Sequence, residues 1–218
     1  MSIITMASTK GGAGKTTVAQ LILGVVKKRG FSVGVIDCDP NQTLATWLAY
    51  ISDLNVECSP ARDHSQLVAE VKRLNARHDL VVIDTAGGRS QEMIFAIHCA
   101  DLVLIPAQMS NYDVNEAVKT FNIVKGAGGM TGRDIPARMV YTGYVPKTQV
   151  GKEVRRKIDK HGIPALKTRL HQLVVHRELT FSGKLPSNGT AAAQAELLAQ
   201  EIYDQGFLPC MLELRKAS

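Results

Sequence analysis

Two kinds of segment alternate along the chain. Short runs of continuous aliphatic residues predict buried strands, and longer segments with apolar residues three or four positions apart predict helices that pack on them. The predicted strands span residues 3–7, 31–36, 55–58, 78–84, 102–106, 137–142 and 165–170. The predicted helices include one ending near residue 29 and others at 41–51, 64–77, 112–124, 150–161 and 191–203, with a glycine loop at 126–129. This alternation predicts an α/β fold with a doubly wound, mostly parallel sheet.

The size and composition suit a single domain over residues 1–218. Aromatic residues make up 5% of a sequence that is 45% hydrophobic, as expected for a parallel sheet covered by helices. The four cysteines form no Cys-x-x-Cys pair, which is typical of reduced thiols packed as small apolar groups. No apolar run approaches 18 residues and the N-terminus lacks signal-peptide features, so we expect a cytoplasmic protein.

A glycine-rich loop joins the first predicted strand to the first predicted helix. Its residues are Lys10, Gly11, Gly12, Ala13, Gly14, Lys15, Thr16 and Thr17. Glycines let backbone N–H groups converge on an anion, and the helix N-terminus adds partial positive charge. The loop is typical of a phosphate-binding loop, with Lys15 reaching the outer phosphates and the hydroxyl of Thr16 holding Mg²⁺. The common pattern has its first glycine where Thr9 stands here.

A dinucleotide-binding fold is the alternative interpretation of the same glycines. Gly12 and Gly14 fit its first two glycine positions, and Asp37 lies about where a ribose-binding acid belongs. However, Thr17 stands where the third glycine should be, and Lys15 would have no role in such a site. The sequence therefore favours the phosphate-binding loop.

Acidic residues follow two of the other predicted strands. Asp37 and Asp39 come at the end of the second strand, and Asp84 ends a run of continuous aliphatic residues in the Walker B form. The carboxyl ends of parallel strands meet at one edge of a sheet, where α/β sites are built. We therefore expect these carboxylates beside the glycine-rich loop, with Asp84 holding a water on the magnesium ion.

The net charge of +6 is concentrated in the second half of the chain. Residues 1–130 carry 12 basic and 12 acidic side chains, whereas residues 138–184 carry 11 basic and 3 acidic ones. A local excess of this kind is typical either of a solvated helix face or of a surface that binds a polyanion such as DNA. The sequence shows no helix-turn-helix and no interleaved aromatics, so DNA contacts would be directed at phosphates and independent of sequence. The candidate DNA-binding residues are Arg155, Arg156, Lys157, Lys160, Lys167, Arg169, Arg177 and Lys184.

The glycine-rich loop resembles the deviant Walker A motif, Lys-Gly-Gly-x-Gly-Lys-Thr-Thr, of the ParA/MinD family of ATPases. The resemblance covers nearly all of the chain. It implies an ATPase with ATP and Mg²⁺ as cofactors, which forms a homodimer on ATP so that Lys10 reaches the partner subunit's nucleotide. It also implies non-specific DNA binding, a nucleoid-associated location and a small DNA-binding partner protein that stimulates hydrolysis. The implied role is partition of plasmid or chromosomal DNA.

The resemblance assigns roles to individual residues of the loop and the strand ends. Asp39 matches the acid that the family needs for hydrolysis, and Asp37 supports the magnesium shell. The implied catalytic residues are Lys10, Lys15 and Asp39, and the implied magnesium-site residues are Thr16, Asp37 and Asp84.

The resemblance also covers the side of the site where adenine binds. Pro106 and Gln108 match the family's Pro-x-Gln segment. Two residues depart from the family pattern. Asn41 stands where relatives usually have Gln, and Thr142 stands where they often have an Asn that touches the base. Recognition of the base is therefore less firmly implied than binding of the phosphates.

Three alternatives keep the same fold but change the function. Residues 85–92 and 113–117 resemble the branch of the family that serves T-DNA transfer. A MinD-like membrane role would need an amphipathic tail, but residues 207–216 contain Pro209 and Glu213 and lack a broad basic face, so we expect this tail to pack on the domain without stable membrane association. A nitrogenase-type iron protein would need two cluster cysteines, and after Cys99 the next is Cys210.

Overall fold

The structure is a computed structural model that describes residues 2–61 and 63–208. Its strands are β1 (Ser2–Met6), β2 (Val33–Asp37), β3 (Glu57–Pro60), β4 (Leu80–Asp84), β5 (Leu102–Ala107), β6 (Ala137–Tyr144) and β7 (Ala165–His171). They form one sheet in the order β3-β2-β4-β1-β5-β6-β7, and each adjacent pair in this described part is parallel. The predicted α/β fold is confirmed.

Helices cover both faces of this sheet. They are α1 (Lys15–Lys28), α2 (Thr43–Tyr50), α3 (His64–Asn75), α4 (Gln91–Cys99), α5 (Asn111–Thr131), α6 (Gln149–Lys160), α7 (Val175–Ser182) and α8 (Gly189–Asp204). Because side chains alternate along each strand, Val82 packs with the α1, α2, α7 and α8 layer while Ile83 packs with α3 and α4. The layer on this second side continues over α5 and α6. Among the described residues, no helix is both long and apolar enough to cross a membrane.

The structure differs from the predicted elements in three places. The helices α4 and α7 were not among the predicted ones. The predicted glycine loop at 126–129 is also wrong, because these residues are helical within α5. Val124, Ala127 and Gly128 are buried on the face of α5 that packs on the domain, and this burial outweighs the low helix propensity of glycine. The helix ends where Gly132 takes a left-handed conformation with φ of 66°.

The predicted packing of the C-terminal segment is visible only at its start. Leu208 is buried in the core, and Phe207 lies against it with the guanidinium of Arg138 5.2 Å from its ring centre. Residues 209–216 of that segment lie outside the described residues.

The pairing register of β1, β2 and β4 places the residues at the carboxyl ends of these strands at one level of the sheet. Asp37 pairs with Asp84 across β2 and β4, and Met6 pairs with Asp84 across β1 and β4. The glycine-rich loop begins shortly after Met6, so it leaves the sheet at the level of both carboxylates.

The outer edge of β7 is covered by side chains of α8. The carboxylate of Glu201 accepts hydrogen bonds from the backbone N–H groups of Lys167 (2.7 Å) and Thr168 (2.8 Å). The side-chain oxygen of Gln194 accepts one from the N–H of His171 at 3.0 Å. These contacts satisfy edge groups that would otherwise be open to pairing with another strand.

We expect Glu201→Ala to lower the free energy of unfolding by about 1–3 kcal/mol, because two edge N–H groups lose a charged acceptor. Urea denaturation followed by circular dichroism measures the change. The matched control is Glu153→Ala, which removes only an exposed ion pair with Arg156 and should cost less than about 1 kcal/mol. Equal losses in the two variants would contradict this account of the edge.

Candidate functional site

A cavity of about 590 Å³ opens at the carboxyl edge of the sheet. Three segments line it, namely the glycine-rich loop with the start of α1, the loop between β2 and α2, and the turn after β4. The lining residues from these segments are Gly11, Gly12, Gly14, Lys15, Thr16, Thr17, Asp39, Pro40, Asn41, Thr43, Ala86 and Gly87. The carboxyl edge is where parallel α/β sheets bind ligands.

The glycine-rich loop takes backbone conformations that need glycine. Gly12 has φ of 74° and Gly14 has φ of 99°, both in the left-handed region that side chains disfavour. Gly14 caps α1 without a side-chain hydrogen bond, and the first turn of that helix, Lys15 to Thr17, lines the cavity. The N-terminus of α1 therefore presents its N–H groups and partial positive charge to a bound anion.

Lys15 and Asp84 are charged side chains at the bottom of this site. Lys15 is 7% exposed and Asp84 is 1% exposed. Burial lowers the pKa of Lys15, while the carboxylates of Asp84 and Asp39 act against the shift. Burial raises the pKa of Asp84 to about 7, opposed by the Thr16 hydroxyl and by Lys15. A buried site of this kind favours a ligand that brings its own compensating charges.

The oxygen atoms around Asp84 fit a magnesium ion. The Thr16 hydroxyl donates to Oδ2 of Asp84 at 2.7 Å, which places two of the three predicted magnesium-site residues together. The second oxygen of Asp84, Oδ1, is buried and accepts no hydrogen bond from the described residues. A hydroxyl and a carboxylate are the hard oxygen ligands that Mg²⁺ prefers.

The other two acids are placed differently. Asp37 is buried, and its two oxygens accept the N–H groups of Asp39 and Ala45, both at 2.9 Å. It therefore fixes the loop that carries Asp39 through one hydrogen bond to each of its oxygens. Burial raises the pKa of Asp37, with these backbone hydrogen bonds acting against the shift. Asp39 lines the cavity and accepts a hydrogen bond from the N–H of Asn41.

Lys10 is the first residue of the glycine-rich loop, and it forms an ion pair with Asp113 of the same chain. Its Nζ is 2.7 Å from Oδ1 of Asp113, whose side chain is 5% exposed, against 42% for Lys10. The other oxygen of Asp113 is hydrogen-bonded to the hydroxyl of Ser110, the N-cap of α5. Asp113 is not among the predicted site residues, although it lies in the segment 113–117 that resembles the T-DNA branch.

Thr9, which occupies the place of the usual first glycine, ties the loop to α5. Its hydroxyl donates to the backbone oxygen (3.1 Å) and carboxylate (2.7 Å) of Glu116. Its N–H donates to the hydroxyl of Thr120 at 3.0 Å. The sequence shows the departure at Thr9, but nothing local to the motif identifies partners more than 100 residues away.

Of the residues considered for the adenine side, Gln108 and Thr142 contact the loop itself. Pro106 is buried within β5. The side-chain amide of Gln108 donates to the backbone oxygen of Gly12 at 2.8 Å. The hydroxyl of Thr142 donates to the backbone oxygen of Ala13 at 2.7 Å.

The turn after β4 lies directly on the glycine-rich loop. A Cβ atom added to Gly87 would be 2.6 Å from both Cα and N of Gly11. The N–H of Gly88 donates to the oxygen of Ser8 at 3.3 Å, and the hydroxyl of Thr85 donates to the oxygen of Met6 at 2.8 Å. The backbone of this turn therefore touches the loop at a point where any side chain would intrude.

Three of the eight candidate DNA-binding cations are only partly exposed, and each of them contacts other groups of the protein. Nζ of Lys157 donates to the side-chain oxygens of Asn111 and Asn115 on α5. The guanidinium of Arg169 lies 4.9 Å from the ring centre of Tyr144 and has a buried Nε without a hydrogen-bond partner among the described residues. Nε of Arg155 donates to the backbone oxygen of Gly151 on α6 at 3.3 Å.

The other five candidate cations are exposed. Arg156 pairs with the neighbouring Glu153 at 2.8 Å on the helix surface. The five exposed candidates are Arg156, Lys160, Lys167, Arg177 and Lys184.

Comparison with known proteins gives one family and several relatives. The model of the VirC1 protein family matches residues 1–180. The chain is 28% identical over 198 residues to maintenance of carboxysome distribution protein A from Halothiobacillus neapolitanus, covering 87% of this chain and 90% of that protein. It is 27% identical over 215 residues to protein ParA from Rhizobium radiobacter, covering 93% of this chain and 96% of that protein.

The fold is shared with solved structures of nucleotide-bound proteins. A variant of McdA from Cyanothece in complex with ATP matches with a TM-score of 0.78 at 18% identity, over 94% of this chain and 96% of that one. The septum site-determining protein MinD from Pyrococcus horikoshii, complexed with Mg-ADP, matches with a TM-score of 0.74 at 18% identity, over 94% and 97%. At this level of identity the likeness concerns the fold.

We expect Gly87→Ala to weaken nucleotide binding by roughly tenfold or more, because the added methyl must displace the backbone of the glycine-rich loop. Isothermal titration calorimetry with ADP and ATP measures the change. Gly126→Ala is the matched control, since its added methyl meets no atom within 4 Å on α5 and should leave nucleotide binding unchanged. Wild-type affinity in Gly87→Ala would show that the contact does not shape the loop.

Proposed function

The chain belongs to the VirC1 protein family, and on that premise we propose that it is a ParA/MinD-type ATPase whose nucleotide state controls dimerisation and DNA binding. The observation that carries the proposal is that Lys15, Thr16 and Asp39 line the glycine-rich cavity, and the buried Asp84 is hydrogen-bonded to Thr16. These are the parts that phosphoryl transfer to water requires, because its catalysis depends on positioning and charge stabilisation.

ATP and Mg²⁺ are the cofactors of this site. The loop N–H groups and the start of α1 bind the phosphates, and Lys15 supplies a positive charge at the outer ones. Thr16 would ligate a bound magnesium ion and Asp84 would hold a water on it, and the ion would supply positive charge at the phosphate oxygens. The buried and unpartnered Oδ1 of Asp84 supports this assignment.

Hydrolysis also needs an oriented water and a cation for the charge that develops. Asp39 is the acid on the cavity wall that is placed to orient the water. Lys10 supplies the additional cation to the nucleotide of the partner subunit in the ATP-bound homodimer, in the manner of an arginine finger. To do so it exchanges its ion pair with Asp113 for the partner's phosphates.

The DNA surface is formed by the exposed cations of α6, β7 and the region around α7. Arg156, Lys160, Lys167, Arg177 and Lys184 are open to solvent and belong to the segment with the excess of basic residues. Phosphate contacts without base readout give binding that is independent of sequence. A small DNA-binding partner protein stimulates hydrolysis, and the protein is cytoplasmic and associated with the nucleoid.

The cargo is the part of the function that varies between relatives. One relative is named for the distribution of carboxysomes and another is a ParA protein. We propose partition of plasmid or chromosomal DNA as the role of this chain, with T-DNA or conjugative transfer as the second candidate. Residues 85–92 and 113–117, which resemble the T-DNA branch, include the turn on the loop and the Asp113 partner of Lys10.

We expect Asp39→Ala to bind ATP and dimerise while hydrolysing it at least roughly tenfold more slowly, because the water loses its orienting acid. Phosphate release and light scattering on the same samples separate turnover from dimerisation. Asp134→Ala, which removes an exposed acid between α5 and β6, is the control and should match the wild type. An Asp39→Ala protein with full turnover would assign the catalytic acid elsewhere.

We expect DNA binding to require ATP, to ignore sequence and to weaken with salt, with a log–log slope of about −0.9 for each phosphate neutralised. Lys160→Ala should flatten that slope by about 1 and weaken all sequences alike. Fluorescence anisotropy with two unrelated duplexes and a non-hydrolysable ATP analogue measures both effects.

Two further variants sharpen the DNA experiment. Lys72→Ala removes an exposed cation from α3, near the opposite end of the sheet, and should leave the slope unchanged. Lys10→Ala should bind DNA poorly even with ATP, since one monomer presents half of the dimer's cationic surface. Tight binding without nucleotide, or preference for a single sequence, would contradict the proposed function.

A further inference from the structure

We infer that Gln108 and Thr142 position the backbone of the phosphate-binding loop and that Thr142 does not read the nucleotide base. The inference rests on the proposed function, because it concerns how the same site holds a nucleoside triphosphate. The loop has two backbone oxygens, of Gly12 and Ala13, that accept side-chain hydrogen bonds from the ends of β5 and β6. These two contacts determine the direction of the N–H groups that follow them.

Thr142 makes the more enclosed contact. Its side chain is in β6 and is 6% exposed, and its hydroxyl donates to the oxygen of Ala13 at 2.7 Å. It also packs against the next residue of the loop. A Cβ atom added to Gly14 would be 3.1 Å from the Thr142 methyl and 3.4 Å from its hydroxyl oxygen. Thr142 therefore contacts the loop through both branches of its side chain, with its hydroxyl bonded to Ala13 and its methyl beside Gly14.

Gln108 makes the second contact from the residue after β5. Its Nε2 donates to the oxygen of Gly12 at 2.8 Å. Its methylene group lies 3.8 Å from the position of a Cβ atom on Gly143, which follows Thr142 in β6. Because β5 and β6 are paired with Ala107 opposite Tyr141, the two side chains reach successive carbonyls of the loop from neighbouring positions.

Because the peptide bond is planar, these contacts to carbonyl oxygens also orient the N–H groups of the loop. In a planar trans peptide the C=O group and the N–H group of the next residue point in opposite directions. A hydrogen bond from Gln108 to the oxygen of Gly12 therefore fixes the N–H of Ala13, and one from Thr142 to the oxygen of Ala13 fixes the N–H of Gly14. These N–H groups belong to the loop that binds the phosphates.

The contact made by Thr142 also explains why its loss should weaken binding of the phosphates. Thr142 has a single hydroxyl proton, and it is used on the oxygen of Ala13. A residue that acts only through the loop contributes equally to every ligand that carries the same phosphates. ATP, GTP and inorganic tripolyphosphate should therefore respond alike to its loss.

The experiment measures binding of ATP, GTP and inorganic tripolyphosphate to the full-length protein by calorimetry with magnesium present. Thr142→Val keeps the size of the side chain but removes the hydroxyl, and it should weaken all three ligands by roughly tenfold. Thr142→Ser keeps the hydroxyl and should restore most of the affinity. Gln108→Glu, which removes the donor, should also weaken all three ligands. Gln149→Glu, which adds the same charge at the exposed start of α6, should weaken none of them.

The outcomes separate a positioning role from the other possibilities. A loss for ATP that spares tripolyphosphate would overturn the inference and assign Thr142 to the base. Equal affinities in Thr142→Val and the wild type would overturn it as well, while nucleotide binding by both would leave the proposed function standing. A loss in Thr142→Val that serine does not restore would show a packing effect only. Failure of the wild type to bind any of the three ligands would overturn the inference together with the proposed function.

Discussion

The site depends on holding the backbone of one glycine-rich loop in a conformation that the loop cannot keep alone. If its N–H groups are to point at an anion, its carbonyl oxygens must point away and find donors elsewhere. Gln108 and Thr142 supply those donors at Gly12 and Ala13. Thr9 is held by α5, and the turn at Gly87 packs on Gly11. The freedom of the glycines is therefore restricted by contacts from β5, β6, α5 and the turn after β4.

Strand register places two carboxylates, of Asp37 and Asp84, at the level of the same loop. Asp37 and Asp84 are opposite one another across β2 and β4, yet they have different surroundings. Asp37 has both oxygens bonded to backbone N–H groups, so it fixes the neighbouring loop. Asp84 keeps one oxygen without a partner among the described residues and holds the other against Thr16. Two acids at the same level of one sheet thus support different tasks because local backbone conformation decides which oxygen atoms remain available.

Sequence reasoning predicted the parts of the site that local pattern specifies. The loop, the strand before it and the acids after β2 and β4 all follow from short motifs and from the rule that parallel strands end at one edge. The contacts of Thr9 and Thr142 could not be predicted from local sequence patterns, because they join residues 107 and 129 positions apart. The helical state of residues 126–129 was also missed, since burial of one face outweighed local propensity. Charge counting also does not show that Lys157 and Arg169 contact Asn111, Asn115 and Tyr144, because these contacts depend on the fold.

The ion pair between Lys10 and Asp113 connects the fold to the proposed dimer. Asp113 is almost fully buried, so removing Lys10 leaves its carboxylate with the hydrogen bond from the Ser110 hydroxyl. A buried carboxylate that loses its cation is costly. Within the proposed mechanism, Lys10 therefore leaves only when it gains a more favourable anion, and the triphosphate on a partner subunit is such an anion. This competition would make the proposed dimer depend on the nucleotide, because without bound phosphates Lys10 has a partner in its own chain.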